Sequence, residues 1–487
     1  MNEGEDEPVV EGRTDQPESH GRHEQTAAGD APAPAEPAPV TEAIPAAGQP
    51  PVTEAIATAD HPPVTEAIPA AKAPSTADDP PTDPERARRT RVMLVGSGDL
   101  GRELVLAFQR LGVEVVAADR FANAPLHGIA DQSVVVKLTD TDELAATIGW
   151  LQPRFVVTAT DLVAADALTA ASETGFTQVV PSVRGARLTT DREGMRRLAA
   201  DELGLPTAPF WFAGSVEELR AVAEHAGFPM VVKPVAASHG EGESVMVRPE
   251  DVEPAWQRAV SAGDRVAHSR VMAETVVEVD YEVTLLTVRS EGPDGPTLDF
   301  CAPIGHRRID GADGELVVES WQPQPMSTAA LDAAKSIAAR IVKALGGHGV
   351  FGVELLIHGD EVYFSDVAVR PYDTALLTQR TQRLSAFELQ ARAILGLTTD
   401  TIMISPGAAR VIYSGREAVD AAADTKLVTG ALAEALAVPE ADVVVFGHHE
   451  GYPRRRLGVA IATASDALIA RERAGHAAAA LRKLWGA

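Results

Sequence analysis

Cysteine is almost missing from this 487-residue chain: Cys301 stands alone, so no intramolecular disulfide can form and nothing in the count requires an oxidising compartment. Beside Phe300 it reads as a small buried apolar filler. Basic charge is scarce too, with 43 Lys and Arg against 70 Asp and Glu. The resulting net charge of -27 would repel a nucleic-acid backbone, and no basic stretch of the needed length offsets it. Long apolar runs are absent: none approaches the roughly 18 residues that would cross a bilayer. The opening residues are acidic where a secretory leader is basic and then apolar. The expectation is therefore a cytoplasmic protein with no nucleic-acid or membrane partner. Small anionic substrates stay open, because a few converging Arg side chains bind phosphate whatever the total charge.

Hydrophobic residues make up 45% of the chain, enough at this length for about three domains. Residues 1–88 are the exception. They are rich in Ala, Pro, Glu, Asp, Thr and Ser, nearly lack aromatic residues, and show neither helical nor strand periodicity, so they cannot bury enough apolar surface to offset chain entropy. The hexapeptide PVTEAI recurs there at Pro39 to Ile44, Pro51 to Ile56 and Pro63 to Ile68, a spacing too short and too Pro-rich for a solenoid. A disordered acidic tail is expected; a repeated docking motif is the alternative.

From Arg91 the grammar changes. RVMLVGSGDLGRELVLAFQRLGVEVVAADR reads as strand, Gly-rich turn, amphipathic helix and strand, and SVVVKL, FVVTAT and VVP continue the alternation with helices between them. This predicts a doubly wound parallel sheet with helices on both faces over 89–196, a Rossmann-like α/β domain. Residues 197–395 mix hairpins with long amphipathic helices such as LDAAKSIAARIVKALGG, an α+β pattern, with TDREGMRRLAADELG read as one helix at the junction. Residues 396–487, with AARVIYS, DVVVFG and LGVAIATA, read as a small terminal domain packed on the other two.

Gly96, Gly98 and Gly101 form a GxGxxG turn with Asp119 at the spacing of a ribose partner. No later stretch resembles a hydride-transfer site, so a structural or phosphate-positioning turn is expected rather than a dehydrogenase. Lys233 closes the strand MVV ahead of a glycine-rich hairpin and can reach the phosphates of a nucleotide, where its ammonium would neutralise charge during phosphoryl transfer. Glu274 at a strand end, with Glu282 beyond it, suits a strand edge that hydrogen-bonds adenine and a carboxylate for ribose hydroxyls. Glu354 and Asp366 lie either side of a turn at His358, Gly359 and Asp360. Pairing those strands crowds two carboxylates, which is costly unless a cation sits between them; Mg²⁺ shared with nucleotide phosphates fits. Taken alone, the two could equally be solvated strand residues.

The blocks GSGDLGREL, DRFANAP, TDREGMRRLAADELGLPT, VVKPV, DYEVTLLTV, FCAPIGHR, ESWQPQPM, ALGGHGVFGVEL, GDEVYFSDV, RPYDT and RRRLGVAIATA together resemble the formate-dependent phosphoribosylglycinamide formyltransferases of the ATP-grasp superfamily. FCAPIGHR and ESWQPQPM set this resemblance apart from carboxyaminoimidazole synthetases and biotin carboxylases. It implies a three-domain ATP-grasp architecture, the cofactors ATP and Mg²⁺, the substrates formate and phosphoribosylglycinamide, and a homodimer. It further implies ATP contacts from Arg192, Lys233, Ser238, His239, Gly240, Glu241, Gly242, Glu243, Glu274, Thr275, Val276, Val277 and Glu282, and Mg²⁺ ligation by Glu354 and Asp366. Lys233 and Arg370 would be catalytic, and Asp99, Leu100, Asp161, Asp373, His448, Arg455 and Arg456 would hold the ribonucleotide, with the two adjacent arginines clamping its phosphate.

The chain departs from the family pattern at several of these positions. The glycine-rich loop SSSGKGQ is ASHGEGE here, placing Glu241 and Glu243 beside triphosphate, where each close contact would cost about 4 kcal/mol before relaxation. Ala159 and Asp161 stand where glutamates are usual, His448 for a lysine, Tyr372 for a histidine, Ala368 for a serine, and Asp366 for a glutamate. Two other outcomes follow from such changes: a carboxylate–amine ligase with a different acid or amine, or a non-catalytic nucleotide-binding homologue.

Overall fold

The computed structural model describes residues 89–235, 242–262, 270–292, 295–310, 316–414, 425–447 and 455–485. The N-terminal tail and its repeats lie outside the described residues.

The first unit follows the expected alternation: β1 Arg91–Val95, α1 Gly101–Arg110, β2 Glu114–Asp119, β3 Gln132–Val135, α2 Thr141–Leu151, β4 Phe155–Thr158, α3 Ala165–Glu173 and β5 Gln178–Val180. The strands are parallel, in the order β3-β2-β1-β4-β5. Both faces of the sheet are covered, which is why its central strands read as unbroken apolar runs. Val92, Leu94, Val115 and Ala117 pack with Leu104, Val105 and Phe108 of α1 on one face. Met93, Val95, Val116 and Ala118 pack with Leu144 and Ile148 of α2 and Leu168 of α3 on the other.

Two short helices, α4 Val183–Leu188 and α5 Arg192–Arg197, lead out of this unit. The single helix expected over TDREGMRRLAADELG is divided, because α5 widens into a π turn at Leu198–Glu202 that is closed by Leu203 N–H donating to Leu198 O. A second sheet follows, built from β6 Phe210–Ala213, β7 Met230–Pro234, β8 Ser244–Met246 and β9 Val271–Thr275, with α6 Val216–Ala226 and α7 Val252–Ser261 packed on it. It is antiparallel, in the order β6-β9-β7-β8.

The third sheet is the largest. It comprises β10 Tyr281–Gly292, β11 Gly295–Phe300, β12 Ile304–Asp310, β13 Leu316–Gln322, β14 Gly349–His358, β15 Glu361–Ala368, β16 Gly407–Tyr413, β17 Ala441–Val445 and β18 Arg456–Thr463. The order is β15-β14-β10-β12-β13-β16-β18-β17, with β11 paired to β10. Its helices are α8 Thr328–Leu345, α9 Thr378–Thr381, α10 Ala386–Ile394, α11 Thr425–Leu436 and α12 Ala467–Arg482. α8 starts where the Ser327 hydroxyl accepts from Ala330 N–H and stops at Gly346, whose φ of +72° favours glycine. Its Ile337, Ile341 and Leu345 pack on Leu285, Phe351 and Val353 of the sheet.

The strands after residue 396 meet the preceding ones edge to edge: β13 pairs with β16 over Val317 to Gln322, so one sheet runs through both stretches. An antiparallel strand with one unpaired edge gains ladder hydrogen bonds by accepting a neighbour, and local sequence does not say which neighbour arrives. Among the described residues no helix is long and apolar enough to cross a membrane.

Candidate active site

Lys233 is the fourth residue of β7, and its Nζ lies 2.7 Å from Glu274 Oε2 on the adjacent β9. Glu274 is buried, and its other oxygen is paired with Arg196. At the strand edge expected beside Glu274, the backbone donors are already engaged as far as Val276. β9 is an inner strand flanked by β6 and β7, Thr275 N–H donates to Pro209 O, and Val276 N–H donates to Pro229 O. Glu282, the second residue of β10, is half exposed, 3.6 Å from His306 Nδ1 on β12.

The repulsion expected of Glu243 is offset by neighbours. Its carboxylate sits 3.4 Å from Arg192 Nη2 and 3.5 Å from Arg308 Nη1, so its charge is balanced before any phosphate arrives. Arg192 is fixed further by Nη1 donating to Pro234 O at 2.6 Å, just past Lys233. Ser238, His239, Gly240 and Glu241 lie outside the described residues, and Gly242 is the first described residue after them.

Glu354 and Asp366 face one another across the β14–β15 ladder. Hairpin arithmetic alone would not put them there. His358 pairs with Glu361 and Leu355 with Phe364, a register that would set Glu354 opposite Ser365. A bulge after Phe364 leaves Ser365 as the extra residue and brings Asp366 into that place. Side chains alternate along a strand, so the bulge also keeps Phe364 in the core while turning Asp366 to the opposite face, with Glu354.

Above this pair sits Tyr372. Its hydroxyl donates to Glu354 Oε1 at 2.7 Å and lies 3.2 Å from the Thr284 hydroxyl. Burial, with the Glu354 charge adding to it, holds that hydroxyl protonated well above the usual tyrosine range. Glycine at 352 makes room for the ring: a Cβ there would fall within van der Waals contact of Tyr372 Cε1. Gly352→Ala is expected to push the ring off Glu354 and lower kcat by about 10²-fold, as an ångström-scale misplacement can. Steady-state kinetics beside Tyr372→Phe checks this, since both remove the same hydrogen bond.

A second cluster gathers residues from distant stretches. Arg370 donates to both oxygens of Asp161, at 2.6 and 2.9 Å. Arg456, the first residue of β18, grips Asp373 at 2.5 Å through Nε and 3.2 Å through Nη2, and Tyr413 of β16 donates its hydroxyl to the same carboxylate. Although burial works against charge, the Asp373 carboxylate keeps the Arg456 guanidinium protonated, and the Asp99 charge adds to the effect. Leu100 lies beside Asp99 at the N-terminus of α1. Arg455 is buried; its N–H donates to Ser414 Oγ and its carbonyl accepts from Ser414 N–H, so it is fixed by backbone alongside the cluster. His448 lies outside the described residues. Tyr413 was not visible as a site residue in sequence, since a tyrosine in an apolar strand gives no signal of the carboxylate it will meet.

The GxGxxG turn is held by the protein itself. Asp119 accepts from Ser97 N–H at 2.7 Å and from Arg120 N–H at 2.7 Å, which occupies both carboxylate oxygens. Gly96 has a φ of +98°, and a Cβ on it would meet Thr160 at 2.8 Å. Both observations show how the turn is built, and with both Asp119 oxygens already accepting from backbone they accord with the structural or phosphate-positioning turn expected rather than a ribose partner.

Comparison with known proteins places the chain. A family model described as "ATP-grasp domain" matches residues 198–387, and one described as "PurT, C-terminal" matches 408–481. Formate-dependent phosphoribosylglycinamide formyltransferase from Corynebacterium glutamicum (strain R) is 51% identical over 395 residues, 81% of this chain and 94% of that protein. The chain belongs to the formate-dependent phosphoribosylglycinamide formyltransferase family. The member from Rhodococcus jostii (strain RHA1) is 50% identical, over 81% of this chain and 96% of its own length. Glycinamide-RNase-transformylase T from Mycobacterium tuberculosis, a solved structure, is 57% identical with a TM-score of 0.67, covering 80% of this chain and 99% of that one. The fold is shared more widely: carboxyaminoimidazole ribonucleotide synthase from Aspergillus clavatus has a TM-score of 0.68 at 20% identity, over 81% of this chain and 99% of that one. Within the formyltransferase family, then, the ATP-grasp match spans both Lys233 and the Glu354–Asp366 pair, while the C-terminal match spans Tyr413 and Arg456.

Proposed function

We propose that this chain formylates phosphoribosylglycinamide with formate and ATP, a step of purine synthesis, and that it does so in the cytoplasm as a homodimer. The observation that carries the reading is the bulged hairpin that sets Asp366 against Glu354, in a chain half identical to enzymes of that name. A ligase for a different acid or amine is not favoured at that level of identity.

The donor set fits Mg²⁺. Two carboxylates share one strand face, and among the described residues no group of three or more metal-binding side chains forms around them. Such a partial shell suits an ion that takes its remaining ligands from phosphate oxygens and water. When bound there, Mg²⁺ would neutralise charge on the transferring phosphoryl group.

The residues themselves divide the work. Lys233 neutralises the nucleotide phosphates while a formate oxygen takes the γ-phosphoryl group, giving formyl phosphate and ADP. The amine of phosphoribosylglycinamide then attacks the formyl carbon, and phosphate leaves. Formyl phosphate hydrolyses readily, so holding the amine beside it supplies both protection and orientation. Arg456, now paired with Asp373, is the cation from which the ribonucleotide would draw its contacts, and Arg370, now paired with Asp161, would act in catalysis, with residues 89–196 and 396–487 contributing the walls and 197–395 the nucleotide site. Arg455 and His448 would complete the phosphate clamp.

ADP release measured with formate and phosphoribosylglycinamide, omitting each in turn, tests the proposal. Release that needs formate, with formylated ribonucleotide appearing only when the amine is also present, supports it; release that ignores formate, or no formylated product with both present, sinks it. Arg456→Lys is expected to raise KM for the ribonucleotide about 10 to 100-fold, the cost of losing a charge-assisted contact, with KM for ATP unchanged.

A further inference from the structure

Arg196 plays no part in the assignments above, yet it is among the most buried charged residues of the described chain, at 4% exposure. Its Nη1 donates to Phe364 O at 3.2 Å and its Nη2 to Ser365 O at 3.0 Å. Successive carbonyls of a regular strand point to opposite sides, so one guanidinium can hold two in a row only where the strand is kinked. The kink is the bulge that turns Asp366 to the Glu354 face. The charge of Arg196 is balanced by Glu274, which in turn holds Lys233 at 2.7 Å. The rings of Phe210 and Phe364 flank the guanidinium, at 5.7 and 6.0 Å. One side chain thus spans the second and third sheets and touches the supports of both the phosphate-binding lysine and the carboxylate pair.

We infer that Arg196 is a positioning residue of the magnesium–nucleotide site, holding the bulge that aims Asp366 and tying it through Glu274 to Lys233. The inference rests on the reading of that site given above. Arg196 acts on the ion only through Asp366. Its bidentate grip cannot be reproduced by an ammonium, because a point charge does not span two carbonyls and a carboxylate in a fixed plane.

The test uses Arg196→Lys and Arg196→Met in the full chain, with Mn²⁺ as a probe followed by electron paramagnetic resonance in the presence of ADP, and ADP binding without metal followed by calorimetry. Second-sphere groups of this kind are worth about 10 to 100-fold in metal affinity. Both variants should fold, by near-ultraviolet circular dichroism, and bind Mn²⁺ with ADP at least about tenfold more weakly than the unaltered chain. Arg196→Lys keeps a cation beside Glu274 and should retain its metal-free ADP affinity. Unchanged Mn²⁺ affinity in either folded variant overturns the inference, and so does failure of both to fold, which would assign Arg196 to the fold instead. If the unaltered chain binds no Mn²⁺ with ADP, the nucleotide reading itself falls, and this inference with it.

Discussion

Lys233→Met is expected to lose about 10² to 10³-fold in kcat while the protein stays folded. The magnitude is that of removing one preorganised electrostatic contact to developing charge. The intact fold follows from the surroundings of Glu274. An unpaired buried carboxylate would cost several kcal/mol, but Glu274 keeps Arg196 after the lysine is gone, so no such charge is left behind. Methionine matches the lysine stem in length and apolar character, which preserves the packing of β7. ADP release measured beside a denaturation curve separates the two effects. A variant that loses activity and stability together would mean that Lys233 serves the sheet and not the nucleotide.

The largest stability effect is expected at Glu319, in the ESWQPQPM block of β13. It is 1% exposed and receives Arg307 Nε at 2.7 Å, Arg410 Nη2 at 2.9 Å and Arg471 Nη2 at 2.8 Å. These arginines come from β12, β16 and α12, and Arg471 also covers the Trp321 ring at 3.8 Å from its centroid. Glu319→Ala leaves three guanidiniums facing one another and should cost about 3 to 5 kcal/mol, read by chemical denaturation. A pH dependence follows. Burial alone would raise the Glu319 carboxyl, but Arg471 and Arg410 outweigh it and hold the group below the ordinary 4.5. A carboxyl lowered on folding adds stability that is fully present above its unfolded value and is lost as pH falls through the folded one. The advantage of the unaltered chain over Glu319→Gln should therefore be constant above pH 4.5 and shrink below it. An advantage that grew with acid would show that the arginines do not act through this charge.

The parallel sheet was legible because its buried strands advertise themselves: VMLV and FVV are apolar throughout and are separated by amphipathic helices. That Glu354 and Asp366 meet was legible from the turn between them, though not the way they meet. Plain hairpin counting would have chosen Ser365, and only the bulge brings Asp366 opposite Glu354. What stayed hidden was every partner drawn from far along the chain. Nothing near Glu243 announces Arg308, nothing near Asp373 announces Tyr413, and Arg196 looked like one more cation on a helix. Strand pairing beyond nearest neighbours was hidden likewise: AARVIYS shows a strand but not that its ladder partner is β13. Pattern reports what a residue needs, burial or a turn, and not which distant group will supply it.

The place of β18 has a consequence for how the molecule comes into being. Among the described strands it comes last in sequence, yet it lies between β16 and β17, both made before it, and it begins with Arg456. A nascent chain that already holds everything from Lys233 to Asp366 still has a gap in its sheet and no counter-cation for Asp373 from that strand. Until residues 456–463 are made, β16 and β17 have no shared ladder partner and Asp373 lacks the guanidinium that grips it, so this end of the sheet closes late, around a strand threaded between two older ones.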